Sequence, residues 1–177
     1  MGQELSTSDW LDKGNVLHDL GDYTEAIQCY DETIRIDPQL ASAWYNKGNA
    51  LDDLGNYNEA IKCYDEAIRI NPQYADAWYN KGLALDDLGN YTEAIKCYDE
   101  AIRINPQHAY AWNNKGGVLN DLGDYIEAIK CYDEAIRIDP QYANAWYNKG
   151  VALKALHRYA DADVAFDEAR ALGLEIN

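Results

Sequence analysis

The sequence predicts an all-α protein built from five consecutive helix–turn–helix repeats. Five tryptophans lie 34 residues apart, at Trp10, Trp44, Trp78, Trp112 and Trp146. Residues 41–74 and 75–108 are identical at all but four positions. Within each repeat, apolar residues follow two helical patterns separated by a turn. Because one short repeat cannot bury its own apolar face, the repeats are expected to stack on one another.

The repeat spacing divides the chain into a short tail and one array. We assign residues 1–6 to an N-terminal tail and residues 7–176 to a single domain. The predicted repeats are 7–40, 41–74, 75–108, 109–142 and 143–176.

The second repeat shows why each unit is predicted to contain two helices. Trp44 and Gly48 lie on one side of the first helix, and the small glycine allows a neighbouring helix to approach. Gly55 follows that helix, where a left-handed residue ends it. Pro72 ends the second helix because it lacks an N–H group. On the outer side of that helix, the i, i+4 spacing of Asp65 and Arg69 predicts an ion pair.

The net charge and the lack of long apolar runs argue against several kinds of partner and location. A net charge of −16 and a pI near 4.3 argue against binding to nucleic acid or anionic membranes. A partner is therefore expected to be basic or neutral, although the charge can equally serve solubility. No apolar run is long enough to span a bilayer and no export signal is apparent, which favours the cytoplasm.

Four cysteines occupy one repeat position, at Cys29, Cys63, Cys97 and Cys131. Equivalent atoms of stacked helices lie ~8–10 Å apart, which is too far for a disulfide or a shared metal. We therefore predict four reduced, half-buried thiols. The sequence also lacks nucleophile–base pairs, metal-ligand spacings and phosphate-binding glycine loops, so we predict no enzymatic activity, cofactor or metal.

The repeat resembles the tetratricopeptide repeat (TPR) family. In the second repeat the resemblance rests on Trp44, Gly48, Ala60, Tyr64, Ala67 and Pro72. It implies a right-handed α-solenoid, a superhelix of antiparallel helix pairs. It also implies that the first helices line a concave groove that holds an extended peptide or a partner helix.

Two departures from the family pattern need interpretation. The last repeat has His157 for the turn glycine and Leu174 for proline, which predicts a degenerate terminal repeat with an exposed apolar end. A lysine precedes each repeat glycine, at Lys13, Lys47, Lys81, Lys115 and Lys149. We favour packed stems whose ammonium groups reach a carboxylate on the neighbouring second helix. The alternative is a cationic row that binds a carboxylate or holds a reactive amine.

The remaining face of each first helix supplies the predicted peptide-binding residues. Asparagine amides can donate to and accept from a peptide backbone, tyrosines offer flat contact surfaces, and aspartates favour Lys or Arg on the ligand. The predicted residues are Tyr45, Asn46, Asn49, Asp52, Asp53, Asp76, Tyr79, Asn80, Asp86, Asp87, Asn113, Asn114, Asp121, Tyr147 and Asn148.

These observations predict a non-catalytic scaffold that binds an extended, basic or polar peptide. The alternative is a structural spacer, or a module that associates end to end with itself. Such a module has no dedicated ligand, and a consensus-like array or a fragment of a larger protein would fit that description.

Overall fold

The computed structural model describes residues 5–176; positions 1–4 of the predicted N-terminal tail lie outside the described residues. Over the described range the chain forms ten α-helices and no strand. The helices are α1 (Thr7–Asp19), α2 (Tyr23–Ile36), α3 (Ala41–Asp53), α4 (Tyr57–Ile70), α5 (Ala75–Asp87), α6 (Tyr91–Ile104), α7 (Ala109–Asp121), α8 (Tyr125–Ile138), α9 (Ala143–Ala155) and α10 (Tyr159–Ala171). The predicted all-α fold class and the two helices of each repeat are confirmed.

The contacts group the helices into two compact units. The N-terminal unit, Met1–Asn90, contains α1 to α5, and the C-terminal unit, Tyr91–Asn177, contains α6 to α10. The division falls inside the third repeat. In both units each second helix packs against the first helix of its own repeat or of the next one.

The repeat glycine lets the two helices of a repeat come close together. A Cβ atom added to Gly48 would lie 2.6 Å from Cε1 of Tyr64, whose side chain is only 1% exposed. Phe166 takes the place of the tyrosine in the last repeat and contacts Gly150 in the same way. A glycine and a buried ring therefore form the centre of these helix pairs.

The turn inside the last repeat keeps the form of the earlier turns. Gly55 has a φ of +73° in the second repeat, and His157 takes the same left-handed conformation with a φ of +59°. The His157 N–H donates to the Lys154 carbonyl at 3.0 Å, as the Gly55 N–H donates to that of Asp52. The backbone bonds of the turn thus hold a residue that disfavours this conformation.

The C-terminal end of the last repeat is less degenerate than predicted. Leu174 replaces proline, but Gly173, with a φ of +93°, ends α10 instead. The Gly173 N–H donates to the Arg170 carbonyl at 2.9 Å, and the Leu174 N–H donates to that of Ala169 at 3.1 Å. A glycine stop has therefore replaced a proline stop.

The repeated tryptophans connect successive repeats. Trp44 Nε1 donates to the carbonyl of Pro38 at 3.1 Å, and Trp146 Nε1 donates to that of Pro140 at 3.2 Å. Each proline belongs to the preceding repeat. The tryptophan and the proline, which mark every repeat boundary in the sequence, therefore form one contact that fixes how one helix pair follows another.

The favoured interpretation of the repeated lysines is confirmed for the four that follow another repeat. Each ammonium group lies 2.5–2.6 Å from an aspartate on the preceding second helix: Lys47–Asp31, Lys81–Asp65, Lys115–Asp99 and Lys149–Asp133. The predicted pairing of Asp65 with Arg69 is wrong, because Asp65 receives Lys81 and Arg69 pairs with Glu66.

The four cysteines form no disulfide among the described residues, and they are more buried than predicted. Their exposed fractions lie between 3% and 5%. Burial raises the pKa of Cys63 and of Cys131 to about 11, against a smaller opposing effect of Lys47 and Lys115. Both side chains are therefore uncharged packing groups at neutral pH. None of the helices found in residues 5–176 combines the length and apolar character needed to cross a bilayer.

Candidate peptide-binding surface

The predicted binding residues lie on the first helices of the repeats and form two groups, one in each unit. In the N-terminal unit α3 contacts both α1 and α5, and in the C-terminal unit α7 contacts α9. The N-terminal set lies on α3 and α5 and comprises Tyr45, Asn46, Asn49, Asp52, Asp53, Asp76, Tyr79, Asn80, Asp86 and Asp87. We call it the acidic surface. The C-terminal set lies on α7 and α9 and comprises Asn113, Asn114, Asp121, Tyr147 and Asn148.

Asn80 connects two repeats through its side chain. Its amide nitrogen donates to Oδ1 of Asn49 at 2.9 Å and to the hydroxyl of Tyr45 at 3.1 Å. The buried Tyr64 hydroxyl donates to the same Asn49 oxygen at 3.0 Å. Because an amide nitrogen has two hydrogens, both donors of Asn80 are used within the protein. A ligand would meet Asn80 as an acceptor, through its carbonyl oxygen.

The same kind of connection occurs one repeat earlier. Asn46 donates to Oδ1 of Asn15 at 2.8 Å, and Tyr30 donates to that oxygen at 3.1 Å. Asn15 was not among the predicted binding residues. Its position one repeat before Asn49 was the signal that identifies it. Asparagines at this repeat position therefore accept bonds from both neighbouring helices.

Asn113 is a predicted binding residue whose side chain is buried. Its side chain is only 6% exposed, and it accepts a bond from the amide of Asn148 at 3.1 Å. It also donates to Oδ1 of Asn114 at 3.0 Å. A residue this buried orients its neighbours and does not present its amide to a peptide. The helical periodicity of α7 alone does not show how far the next repeat covers Asn113.

Asp52 is a carboxyl group of the acidic surface whose pKa is raised. Partial burial, then the nearby charges of Asp87 and Asp53, raise the pKa of Asp52 from its ordinary 3.8 to about 6. Its Oδ1 atom is buried and accepts no hydrogen bond from the described residues. The Asp52 carboxylate is thus held close to two like charges, and their repulsion is incompletely compensated. A bound cation would relieve this repulsion.

Two tyrosine rings and one imidazole lie near other carboxylates of the N-terminal unit: Tyr45 and Tyr74 near Asp76, and His18 beside Asp53. Tyr45 packs against Tyr74 with ring centroids 4.8 Å apart, and burial raises the pKa of its hydroxyl. His18 Nε2 lies 2.9 Å from Oδ2 of Asp53, too poorly aligned for a hydrogen bond but close enough for an ion pair when the imidazole is protonated. The surface therefore combines an aromatic wall with carboxylates.

The acidic surface consists mainly of hydrogen-bond acceptors and tyrosine rings. No three His, Cys, Asp or Glu side chains among residues 5–176 are grouped so that they could hold a metal ion. The acidic surface instead offers carboxylate oxygens, amide oxygens and tyrosine rings. Groups of this kind fit N–H donors and cationic side chains of a peptide.

The chain belongs to the tetratricopeptide repeat family. Models of tetratricopeptide repeats match residues 45–109, 79–143 and 131–163, and a model described as TPR repeat matches residues 14–53. These matches confirm the resemblance found in the sequence. Repeats of this family typically act as protein–protein interaction scaffolds.

Solved structures share this fold over nearly the whole chain. A fragment of MamA (residue 41 to its end) from Desulfovibrio magneticus RS-1 is 20% identical, with 94% of each chain covered and a TM-score of 0.86. YrrB, a TPR protein with an unusual peptide-binding site, is 24% identical, with 95% of this chain and 87% of YrrB covered and a TM-score of 0.79. PilF from Pseudomonas aeruginosa is 18% identical, with 96% and 78% covered and a TM-score of 0.86. The search of curated protein sequences found no match.

Proposed function

We propose that this protein is a non-catalytic interaction scaffold whose acidic surface binds an extended peptide containing Lys or Arg. The observation that carries the proposal is the half-buried carboxyl group of Asp52, which lies beside the like charges of Asp53 and Asp87. A cationic side chain placed there would neutralise repulsion that the folded protein otherwise retains. YrrB, which has the same fold, is a TPR protein with a peptide-binding site, and this supports a peptide as the ligand.

The hydrogen-bonding groups favour the same ligand. Asn80 uses both of its amide hydrogens within the protein, so it offers the ligand an oxygen. The carboxylates of Asp52 and Asp87 also offer oxygens only. A surface made of acceptors selects a ligand rich in donors, such as a peptide with backbone N–H groups and basic side chains. An acidic peptide would place carboxylates against carboxylates.

The pKa of Asp52 gives the proposal a pH signature. Below pH 6 the group is protonated and attracts a cation weakly, whereas above pH 6 it is charged. The affinity for a basic peptide should therefore rise as the pH increases through about 6 and then level off. Binding a cation should release protons in the lower part of that range.

The test is selection from a random peptide display library on the full chain. Wild-type protein should enrich peptides with Lys or Arg, and the selected peptides should bind about tenfold more weakly to the variant Asp52→Asn/Asp87→Asn, as expected for two weakened charge contacts. The control Asp12→Asn/Glu175→Gln removes the same net charge at two exposed positions and should bind like wild type.

Two results would contradict the proposal. Enrichment of acidic or apolar peptides would show that the carboxylates do not select the ligand. Equal affinity for the two double variants would show that only the overall charge matters. Circular dichroism of both variants checks that the helices are intact.

A further inference from the structure

The first repeat has an open groove on the side where later repeats receive a helix. It lies between α1 and α2, has a volume of about 710 Å³, and is lined by Trp10, Lys13, Leu17 and Cys29 and by the acidic residues Glu25, Asp31 and Glu32. We call it the entry groove. An aromatic ring, an aliphatic side chain and a single ammonium group on one helix make it suitable for an amphipathic partner.

The fifth repeat shows what occupies the equivalent groove. There Trp146, Lys149 and Leu153, each 136 positions after Trp10, Lys13 and Leu17, face Ile129 and Asp133 of the preceding helix α8. With that helix in place, the remaining cavity measures about 260 Å³. The chain itself therefore contains a structural template for the ligand of the entry groove: an isoleucine and an aspartate four residues apart on a helix.

The charge of Lys13 matches this template. The other four lysines of the row each pair with an aspartate of the preceding second helix, and their side chains are only 19–23% exposed. Lys13 is exposed, and its ammonium group lies 5.1 Å from the ring centre of Trp10. It forms no ion pair within residues 5–176. The ammonium group of Lys13, beside the Trp10 ring, is thus available to a carboxylate of a ligand.

We propose that the entry groove binds an amphipathic helix of a partner protein that carries an aliphatic residue and a carboxylate four positions apart. The aliphatic side chain would pack between Trp10 and Leu17, and the carboxylate would pair with Lys13. This is a helix-in-groove interaction, distinct from peptide binding at the acidic surface, and it does not depend on that proposed function.

The last helix of a second copy is a poorer occupant. Asp167 of α10 has the repeat position of Asp133, but Asp163 replaces Ile129. Docking α10 would place the carboxylate of Asp163 where the groove offers apolar groups, at a cost in desolvation. Two copies with a net charge of −16 each would also repel one another. These features favour a different protein as the source of the helix.

A peptide with the sequence of α8, Tyr125–Ile138, is the probe. An isolated helix of this length is marginal in water, so a hydrocarbon staple joins positions 126 and 130, both exposed in the protein. Fluorescence anisotropy of the labelled peptide with the full chain should show saturable binding. In the peptide, Ile129→Asp should weaken binding by more than about tenfold, and Asp133→Asn by about fivefold, since the pair is partly exposed.

Variants of the protein test the contact itself. Lys13→Gln should weaken binding of the wild-type peptide by about fivefold and have no further effect on the Asp133→Asn peptide. Lys115→Gln, the same change at an internal repeat position, should leave binding unchanged. Circular dichroism checks that both variants keep their helices.

Three outcomes would overturn the proposal. A lack of saturable binding by the stapled peptide would mean that the groove does not accept such a helix. Additive effects of Lys13→Gln and the Asp133→Asn peptide would show that the predicted ion pair does not form. Equal or tighter binding of a stapled α10 peptide, Tyr159–Ala171, would replace the partner protein with a second copy of this chain.

Discussion

Two adjacent glycines in α7 should respond in opposite directions to the same substitution. A Cβ atom added to Gly116 would lie 2.7 Å from Cε1 and 2.9 Å from Cδ1 of Tyr132. The same atom added to Gly117 would meet nothing within 4 Å. Both residues lie inside the helix, so alanine changes helix propensity equally at the two positions. Only the contact with the tyrosine ring differs.

The magnitudes follow from these two contributions. Replacing glycine by alanine inside a helix stabilises it by about 1 kcal/mol. At Gly116 the added carbon overlaps a ring that is 2% exposed and cannot turn away, and such overpacking costs about 1–3 kcal/mol. We therefore expect Gly117→Ala to raise the free energy of unfolding by about 1 kcal/mol. Gly116→Ala should lower it by up to about 2 kcal/mol.

Urea denaturation followed by far-ultraviolet circular dichroism measures the difference. The two variants share the propensity contribution, so the gap between their unfolding free energies reports the steric overlap alone, about 1–3 kcal/mol. The denaturant slopes should be equal, because the same surface is exposed on unfolding. Equal midpoints for the two variants would refute the view that the repeat glycine is required for close packing.

Four further predictions concern titration, reactivity and backbone geometry. The pKa of Asp52 in the folded protein, about 6, exceeds the ordinary 3.8, so the free energy of unfolding should fall as the pH rises between these values; Asp52→Asn should flatten that dependence and add about 1 kcal/mol at neutral pH, allowing for the group's partial exposure. Asn80→Ala should lower stability by about 1–2 kcal/mol in urea titrations by removing two inter-repeat hydrogen bonds, whereas the exposed Asn58→Ala should have little effect. Mass spectrometry should find Cys63 alkylated by iodoacetamide only after denaturant is added, because burial raises its pKa to about 11; rapid labelling of the native protein would contradict this. His157→Val should lower the free energy of unfolding by about 1–2 kcal/mol, and with it the midpoint of thermal unfolding, because a β-branched residue is strained at positive φ; His157→Gly should be tolerated.

The repeat pattern was sufficient to predict most of the helices. The recurring tryptophan, glycine and proline are effective because each acts locally or on the adjacent helix. Gly55 adopts the left-handed conformation that ends a helix, and Trp44 bonds to the carbonyl of Pro38 in the preceding repeat. A residue that acts over such short distances recurs at the same position in successive copies of the repeat, so a single sequence is enough to identify it.

The last repeat and the candidate site were less predictable. His157 and Gly173 preserve the turn and the helix end by backbone hydrogen bonds that no residue pattern shows. The face of a helix can be read from its periodicity, but the overlap by a neighbouring repeat cannot. Asn113 is therefore buried although it lies on the predicted binding face. The amide hydrogens of Asn80 are likewise donated to residues of a neighbouring helix.

The repeating unit of this protein follows from its residues alone: five copies of a helix pair, their turns, their charge, and the residues available to each face. Those properties depend on short-range sterics and periodicity, which every copy repeats. Only the packing of the repeats shows which of these equivalent residues have a partner on a neighbouring helix. Lys47 has an aspartate to pair with because another repeat precedes it, whereas the equivalent Lys13 faces an open groove. Equivalent lysines thus have different surroundings within the described residues, because Lys47 packs beside the helix of a preceding repeat and Lys13 does not.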